Sequence, residues 1–136
     1  MEDYKKVTGY ICNVECNSTK AEFIREYNSW FMTDSVDRIL SVLDENIVWE
    51  IVGEVTVEGT EQVRQFLSPS PESEAGMETI EQRVDGILVV GSLGSAFGTM
   101  ILRNGDSYAF SEIMRFKNSE TIKLEKMSLF MIKLKP

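Results

Sequence analysis

Apolar positions recur at helical spacing near the N-terminus and at strand spacing through the second half of the chain. From Thr19 the stripe Phe23, Ile24, Tyr27, Trp30 and Phe31 falls on one face of a helix reaching about Met32. The capping-box sequence Thr19-Lys-Ala-Glu22 opens it. A second helix is predicted with Asp34 as N-cap and Val36, Ile39, Leu40 and Leu43 at i, i+3, i+4 and i+7, ended by Asp44-Glu-Asn46. Ile47 to Val52 reads as a strand, Val55 to Glu58 as a shorter one, and Thr60 caps a third helix through Leu67 with Val63, Phe66 and Leu67 apolar.

The remainder reads as a loop and then strands. Ser68-Pro-Ser-Pro-Glu-Ser-Glu-Ala-Gly76 is turn-forming throughout. Strands are predicted near Glu78 to Val84, Ile87 to Leu102, Ser107 to Lys117 and Thr121 to Lys133. The hairpin signals Asp85-Gly86, Asn104-Gly105 and Lys117-Asn-Ser119 divide them. Gly91, Gly94 and Gly98 read as bends in one curved strand. Apolar parity slips between Leu124 and Met127, which predicts a β-bulge at Glu125-Lys126. Residues 1–17 carry little pattern and are expected as an arm or an extra turn, leaving residues 18–136 as a single domain. The fold class is α+β, three helices interleaved with a hairpin and followed by an antiparallel meander.

Composition narrows the chemistry. A net charge of −8 repels phosphate backbones and anionic lipids, so neither nucleic acid nor a membrane surface is expected as a partner. The N-terminus lacks the apolar centre of a signal peptide, and a cytoplasmic location is expected. There is no histidine, which removes Ser-His and Cys-His nucleophile pairs and every histidine metal site. Cys12 and Cys16 alone do not close a zinc site; they are read as two reduced thiols. No metal and no cofactor is implied.

Three side chains carry candidate chemistry. Glu112 alternates with Tyr108, Phe110, Met114 and Phe116, so it sits on the bulky side of its strand. Burial there raises a carboxyl pKa and favours the neutral acid. Alternatively that side is the outer one, or a salt bridge to Arg115 or Arg103 makes the residue structural. Tyr27 lies mid-stripe in the first helix, where a core tyrosine is the more common explanation. Glu50 shares a face with Val48 and Val52, opposite the heavier Ile47, Trp49 and Ile51. Simple alternation buries the tryptophan side, although in a doubly covered sheet either face is internal.

The element order, together with Ile24-Arg-Glu-Tyr-Asn28, Val48-Trp-Glu-Ile-Val-Gly53, Glu58-Gly-Thr60 and Ile113-Met-Arg-Phe-Lys-Asn118, resembles the nuclear transport factor 2-like superfamily. That group includes SnoaL-like polyketide cyclases and ketosteroid isomerases. The resemblance implies a cone-shaped half-barrel, a curved antiparallel or mixed sheet wrapped around three N-terminal helices. Against the ketosteroid isomerases, Tyr27 matches the tyrosine that donates to the enolate, Glu50 the catalytic base and Glu112 the protonated acid before Arg115-Phe116. Matching Tyr27 and Glu50 together needs one residue of slack after the second helix, and both acids here are glutamate instead of aspartate. The resemblance thus implies a cofactor-free isomerase or cyclase acting on a small apolar carbonyl compound, with Trp30, Val48, Phe110 and Met114 lining the pocket. The alternative is a non-catalytic ligand-binding or dimeric interaction module of the same fold. Apolar strands near Ile87–Val90 and Leu129–Ile132 are expected to support a homodimer.

Overall fold

The apolar stripe of the N-terminal half folds as helix α1 (Thr19–Trp30) in a computed structural model that describes residues 9–33, 35–68 and 78–135. Its cap is Ser18, one residue before the predicted Thr19. Ser18 is extended and its hydroxyl accepts from the Ala21 amide at 3.1 Å, so a serine two positions from Lys20 satisfies a free helix donor. Lys20 is buried, donates to the Ser119 carbonyl and lies 5.0 Å from the centre of the Phe116 ring, tying the first turn of α1 to the far end of the sheet.

Helix α2 (Val36–Ser41) is shorter than its periodicity predicts. Val42 caps it, and strand β2 (Leu43–Ile51) begins immediately. The burial that helical spacing demands of Leu43 is met by a strand, since Leu43 pairs with Leu124 and is 2% exposed. Asp44, Glu45 and Asn46 therefore lie within β2 and do not terminate a helix. The expected N-cap Asp34 and the stretch 69–77 of the proline-rich loop lie outside the described residues. Strand β3 (Val55–Glu58) and helix α3 (Thr60–Leu67) fall where predicted, with Val63 fully buried.

The second half forms β4 (Thr79–Val90), β5 (Leu93–Leu102), β6 (Ser107–Phe116) and β7 (Leu124–Lys133). Together with β1 (Tyr10–Cys12) they build one curved, open seven-stranded sheet in the order β1-β4-β5-β6-β7-β2-β3, wrapped around the three helices. The sheet is mixed, because β1 runs parallel to β4 and β2 parallel to β7. Strand β1 lies inside the segment expected as an arm or extra turn. Three residues are too few to show alternation, which is why its pattern is weak. Gly9 precedes it at φ 82, where an added Cβ would lie 2.2 Å from the Ile80 carbonyl oxygen, so only glycine fits the approach to β4. Cys12 is buried on β1 and Cys16 half-buried beyond it, both as free thiols.

Two turn signals exchange roles. Asp85-Gly86 is not a hairpin; it sits inside β4, where pairing slips between Val84 and Gly86 and leaves Asp85 as a bulge. An added Cβ on Gly86 would lie 2.3 Å from the Phe97 ring, so the glycine makes room for an aromatic cross-strand neighbour. The hairpin instead uses Gly91, read above as a bend, at φ 59 between the paired Val90 and Leu93. Asn104-Gly105 does turn the chain, with Gly105 at φ 96. The bulge predicted at Glu125-Lys126 is present: Arg115 pairs with Lys126 and Phe116 with Leu124, leaving Glu125 over. Both Leu124 and Met127 thereby reach the core.

The core lies between the concave face of the sheet and α1, around Ile24, Tyr27, Ile47, Met114 and Phe116. Among the described residues, no helix is long and apolar enough to cross a membrane. The tight crossing of β4 and β5 at Gly98 generates one prediction. An added Cβ there would meet the Arg83 carbonyl oxygen at 1.8 Å, a backbone atom that cannot swing away. Gly98→Ala is expected to destabilise the fold by about 2 kcal/mol or more in urea denaturation, whereas the same change at Gly91, which has open space, is expected to act only through its positive φ.

Candidate functional site

Between the C-terminal end of α1, α3 and the concave sheet face lies a cavity of about 550 Å³. Its walls are mostly apolar. Phe31 and Met32 come from the end of α1, Trp49 and Ile51 from β2, and Phe66 and Leu67 from α3. The sheet contributes Met100, Leu102, Phe110, Met127, Leu129 and Met131 at inward positions, with Tyr108 as a phenol among them. Glu54, Glu78 and Thr79 also border it; both glutamates are exposed, and Glu78 pairs with Arg103 at 3.2 Å.

The polar part of the lining is a chain of three buried side chains. Glu112 on β6 is 4% exposed, Asn28 on α1 is 1% and Gln82 on β4 is 7%. Asn28 Nδ2 donates to Glu112 Oε1 at 2.7 Å and to the Ile24 carbonyl at 2.9 Å, and Gln82 Nε2 donates to Asn28 Oδ1 at 3.1 Å. Among the described residues no cation pairs with Glu112: Arg103 pairs with Glu78, and Arg115 is exposed on the opposite sheet face. Burial pushes the Glu112 carboxyl from 4.5 up to about 7, and the Asn28 hydrogen bond acts in the opposite sense.

The other expected site residues occupy different surroundings. Tyr27 is fully buried, but its hydroxyl has no hydrogen-bond partner among the described residues and the side chain is not part of the cavity lining. Burial, and secondarily the nearby Glu112, raise its pKa well above the ordinary phenol value. The ring is held among aromatics, 5.5 Å from Phe23 and 5.3 Å from Phe31 between centroids. Trp30 packs beside Phe23 and beneath the Arg38 guanidinium, away from the cavity. Met114 is wholly buried in the core, outside the lining, while Phe110 lines the cavity as expected.

Glu50 and Val48 lie on the other side of the sheet. Trp49 and Ile51 line the cavity, so alternation turns their neighbours outward, and the nearest polar contact of Glu50 is Ser128 Oγ at 3.5 Å. The plain alternation of β2, with the tryptophan face inward, describes this strand. The reading that put Glu50 and Val48 inside needed one residue of slack, and a one-residue shift in a strand exchanges its faces. Of the three candidate groups, only Glu112 therefore opens on the cavity.

Asn28 and Gln82 were not singled out in the sequence, although a signal exists. Gln82 shares strand parity with Val84, the same polar intrusion that marks Glu112. Asn28 stands four residues after Ile24 and three before Phe31, at the edge of the apolar stripe.

The arrangement of helices and sheet is shared with solved structures. The fold is that of the nuclear transport factor 2-like proteins. A candidate SnoaL-like polyketide cyclase from Shewanella denitrificans superimposes with a TM-score of 0.69 at 14% identity, covering 85% of this chain and 92% of that one. A candidate ketosteroid isomerase from Kribbella flavida gives 0.68 at 11% identity, over 85% and 79%. An LEH-like epoxide hydrolase of M. tuberculosis gives 0.65 at 11% identity, over 82% and 81%. No family model and no curated protein sequence matches the chain. At these identities the likeness establishes the cone fold that the sequence resemblance implied.

The unpaired Glu112 generates a stability prediction. Its folded pKa exceeds the unfolded value, so the folded state holds more protons between 4.5 and 7 and stability declines as pH rises through that window. The full penalty, about 3 kcal/mol, applies above pH 7. Glu112→Gln keeps the shape and the acceptor for Asn28 without the charge. It is expected to be more stable than the parent at pH 8 in chemical denaturation, with the gap closing toward pH 4.5. A gap that does not vary with pH would refute the assignment.

Proposed function

We propose that the cavity binds a small, mostly apolar carbonyl compound and that Glu112 transfers protons to and from it, in an isomerisation or cyclisation that needs no cofactor. The observation carrying this reading is a carboxyl buried at a cavity wall with an amide as its partner and, among the described residues, no compensating cation. With a pKa about 7, both forms of Glu112 are populated at neutral pH. The neutral acid donates to a carbonyl oxygen, and the ionised form removes an acidic proton beside it. The apolar walls exclude water and strengthen each of these contacts. A candidate cyclase, a candidate isomerase and an epoxide hydrolase among the fold's neighbours are compatible with such chemistry.

One observation favours the non-catalytic alternative. With Glu50 on the outer face and the Tyr27 hydroxyl sealed, Glu112 stands without the second acid–base group expected from the sequence. Hydrogen–deuterium exchange beside the carbonyl of aryl and cyclic ketones, followed by NMR in deuterium oxide, separates the readings. The parent protein is expected to accelerate exchange with a rate rising through pH 7, and Glu112→Gln to lower it by roughly 10²–10⁴-fold. Ketones that bind without any accelerated exchange would mark the protein as a carrier or sensor.

The convex sheet face is the surface on which we propose that two copies associate. Phe97, Ser111 and Phe130 form one cross-strand row there, beside the row Leu88, Ser95, Ile113, Ser128 and Glu50. Leu88 is 64% and Ile132 69% exposed, and none of the three described helices covers them. A surface that exposes this many large apolar side chains between small polar ones suits association. On the same face Arg115 and Lys126 stand side by side with no carboxylate partner among the described residues, and Glu50 with no cation, so a second copy offers each the opposite charge. Light scattering at micromolar concentration is expected to give a dimer that Phe130→Asp dissociates. A monomeric parent protein removes this proposal and leaves the cavity reading untouched.

A further inference from the structure

The direction of the buried hydrogen-bond chain is fixed by its two ends. Asn28 Nδ2 faces a backbone carbonyl, that of Ile24, and a carboxyl oxygen, Glu112 Oε1. Both are natural acceptors, so the amine of the Asn28 amide points to them and Oδ1 points away. That oxygen needs a donor and receives one from Gln82 Nε2 at 3.1 Å. The Gln82 amide is oriented in turn, with its nitrogen toward Asn28 and its Oε1 turned elsewhere.

Gln82 Oε1 makes no hydrogen bond among the described residues, yet unlike the Tyr27 hydroxyl it is not a sealed atom left without one. Gln82 lines the cavity, and its small remaining exposure is toward that space. The residue is also held by its backbone, since its amide donates to the Gly9 carbonyl at 2.7 Å through the β1–β4 pairing. The same reasoning applies to Glu112: Oε1 is occupied by Asn28, so Oε2 is the oxygen left for a ligand. Two unused oxygens, one amide apart, thus face a mostly apolar cavity. Gln82 Oε1 only accepts; Glu112 Oε2 donates when neutral.

We infer that Gln82 sets the specificity of the cavity by accepting a hydrogen bond from a ligand hydroxyl, so that the preferred ligand is an apolar hydroxy-carbonyl compound. This rests on the reading of the cavity as a carbonyl-compound site and adds a second contact to it. A neutral amide oxygen in an apolar wall matches a neutral hydroxyl. It does not offset the desolvation of an ammonium. A site built around such an acceptor discriminates against the analogue lacking the hydroxyl, because the acceptor is then left unpaired.

The probes are 6-acetyl-2-naphthol and 2-acetylnaphthalene, alike except for the hydroxyl, with affinities measured by equilibrium dialysis. The parent protein is expected to bind the naphthol about tenfold more tightly, the effect of one net hydrogen bond. Gln82→Met, close in shape and without the acceptor, is expected to abolish that preference; because it also removes the donor to Asn28 Oδ1, the readout is the ratio of the two affinities and not either one alone, and urea denaturation checks the fold. Equal affinities in the parent, or a preference persisting in Gln82→Met, overturn the inference and leave the cavity reading standing. Failure of the parent to bind either ketone sinks the cavity reading and this inference with it. Should Gln82→Met lose both ketones, Gln82→Ala decides: a second loss of both assigns Gln82 a purely structural role and overturns the inference, whereas retained 2-acetylnaphthalene binding without preference supports it.

Discussion

The contact between Asn28 and Glu112 is the constraint around which the interior is arranged. A carboxyl carried into an apolar interior by strand β6 must lose its charge or find donors, and among the described residues the donor given to it is one amide from α1. One amide is enough to orient the group and too little to return it to an ordinary acidity, so Glu112 stays poised between its two forms. The amide depends in turn on Ile24 and Gln82 to hold it. The helix, the first long strand of the meander and the central strand are thereby joined through polar groups as well as apolar packing.

The division of the sheet into two faces supplies the setting. On the concave side, the inward positions of β5, β6 and β7 alternate without interruption once the bulge at Glu125 restores the parity of β7. Tightly packed glycines at positions 94 and 98 let Ile24 and the Arg83 backbone come close. On the convex side, the same strands present serines between large apolar residues. Glu50 belongs to that second surface, which is why it has no part in the chemistry argued for the first.

How much of this was legible in the sequence depended on whether the signal was local. Phase was legible: the helical stripe of α1, the inward side of β6 and the bulge in β7 all follow from spacing, and so does the burial of Glu112 between Phe110 and Met114. Boundaries were less so. Leu43 satisfies the period of a helix and is buried by a strand, and Asp85-Gly86 has turn chemistry that a bulge uses equally well. The cavity's membership was least legible, because it is decided across elements. Gln82 and Asn28 are 54 positions apart in the chain, and nothing in either neighbourhood announces the other. For β2 the family resemblance and the plain alternation disagreed by one residue, and the alternation describes the strand.

The helix side of the Asn28 amide is held by the backbone carbonyl of Ile24, and not by another side chain. The carboxyl is consequently tied to the backbone of α1 itself: the amide that favours its ionised form is carried, and oriented, by that helix. Loss of that donor would leave burial to act alone on the carboxyl and favour its protonated form.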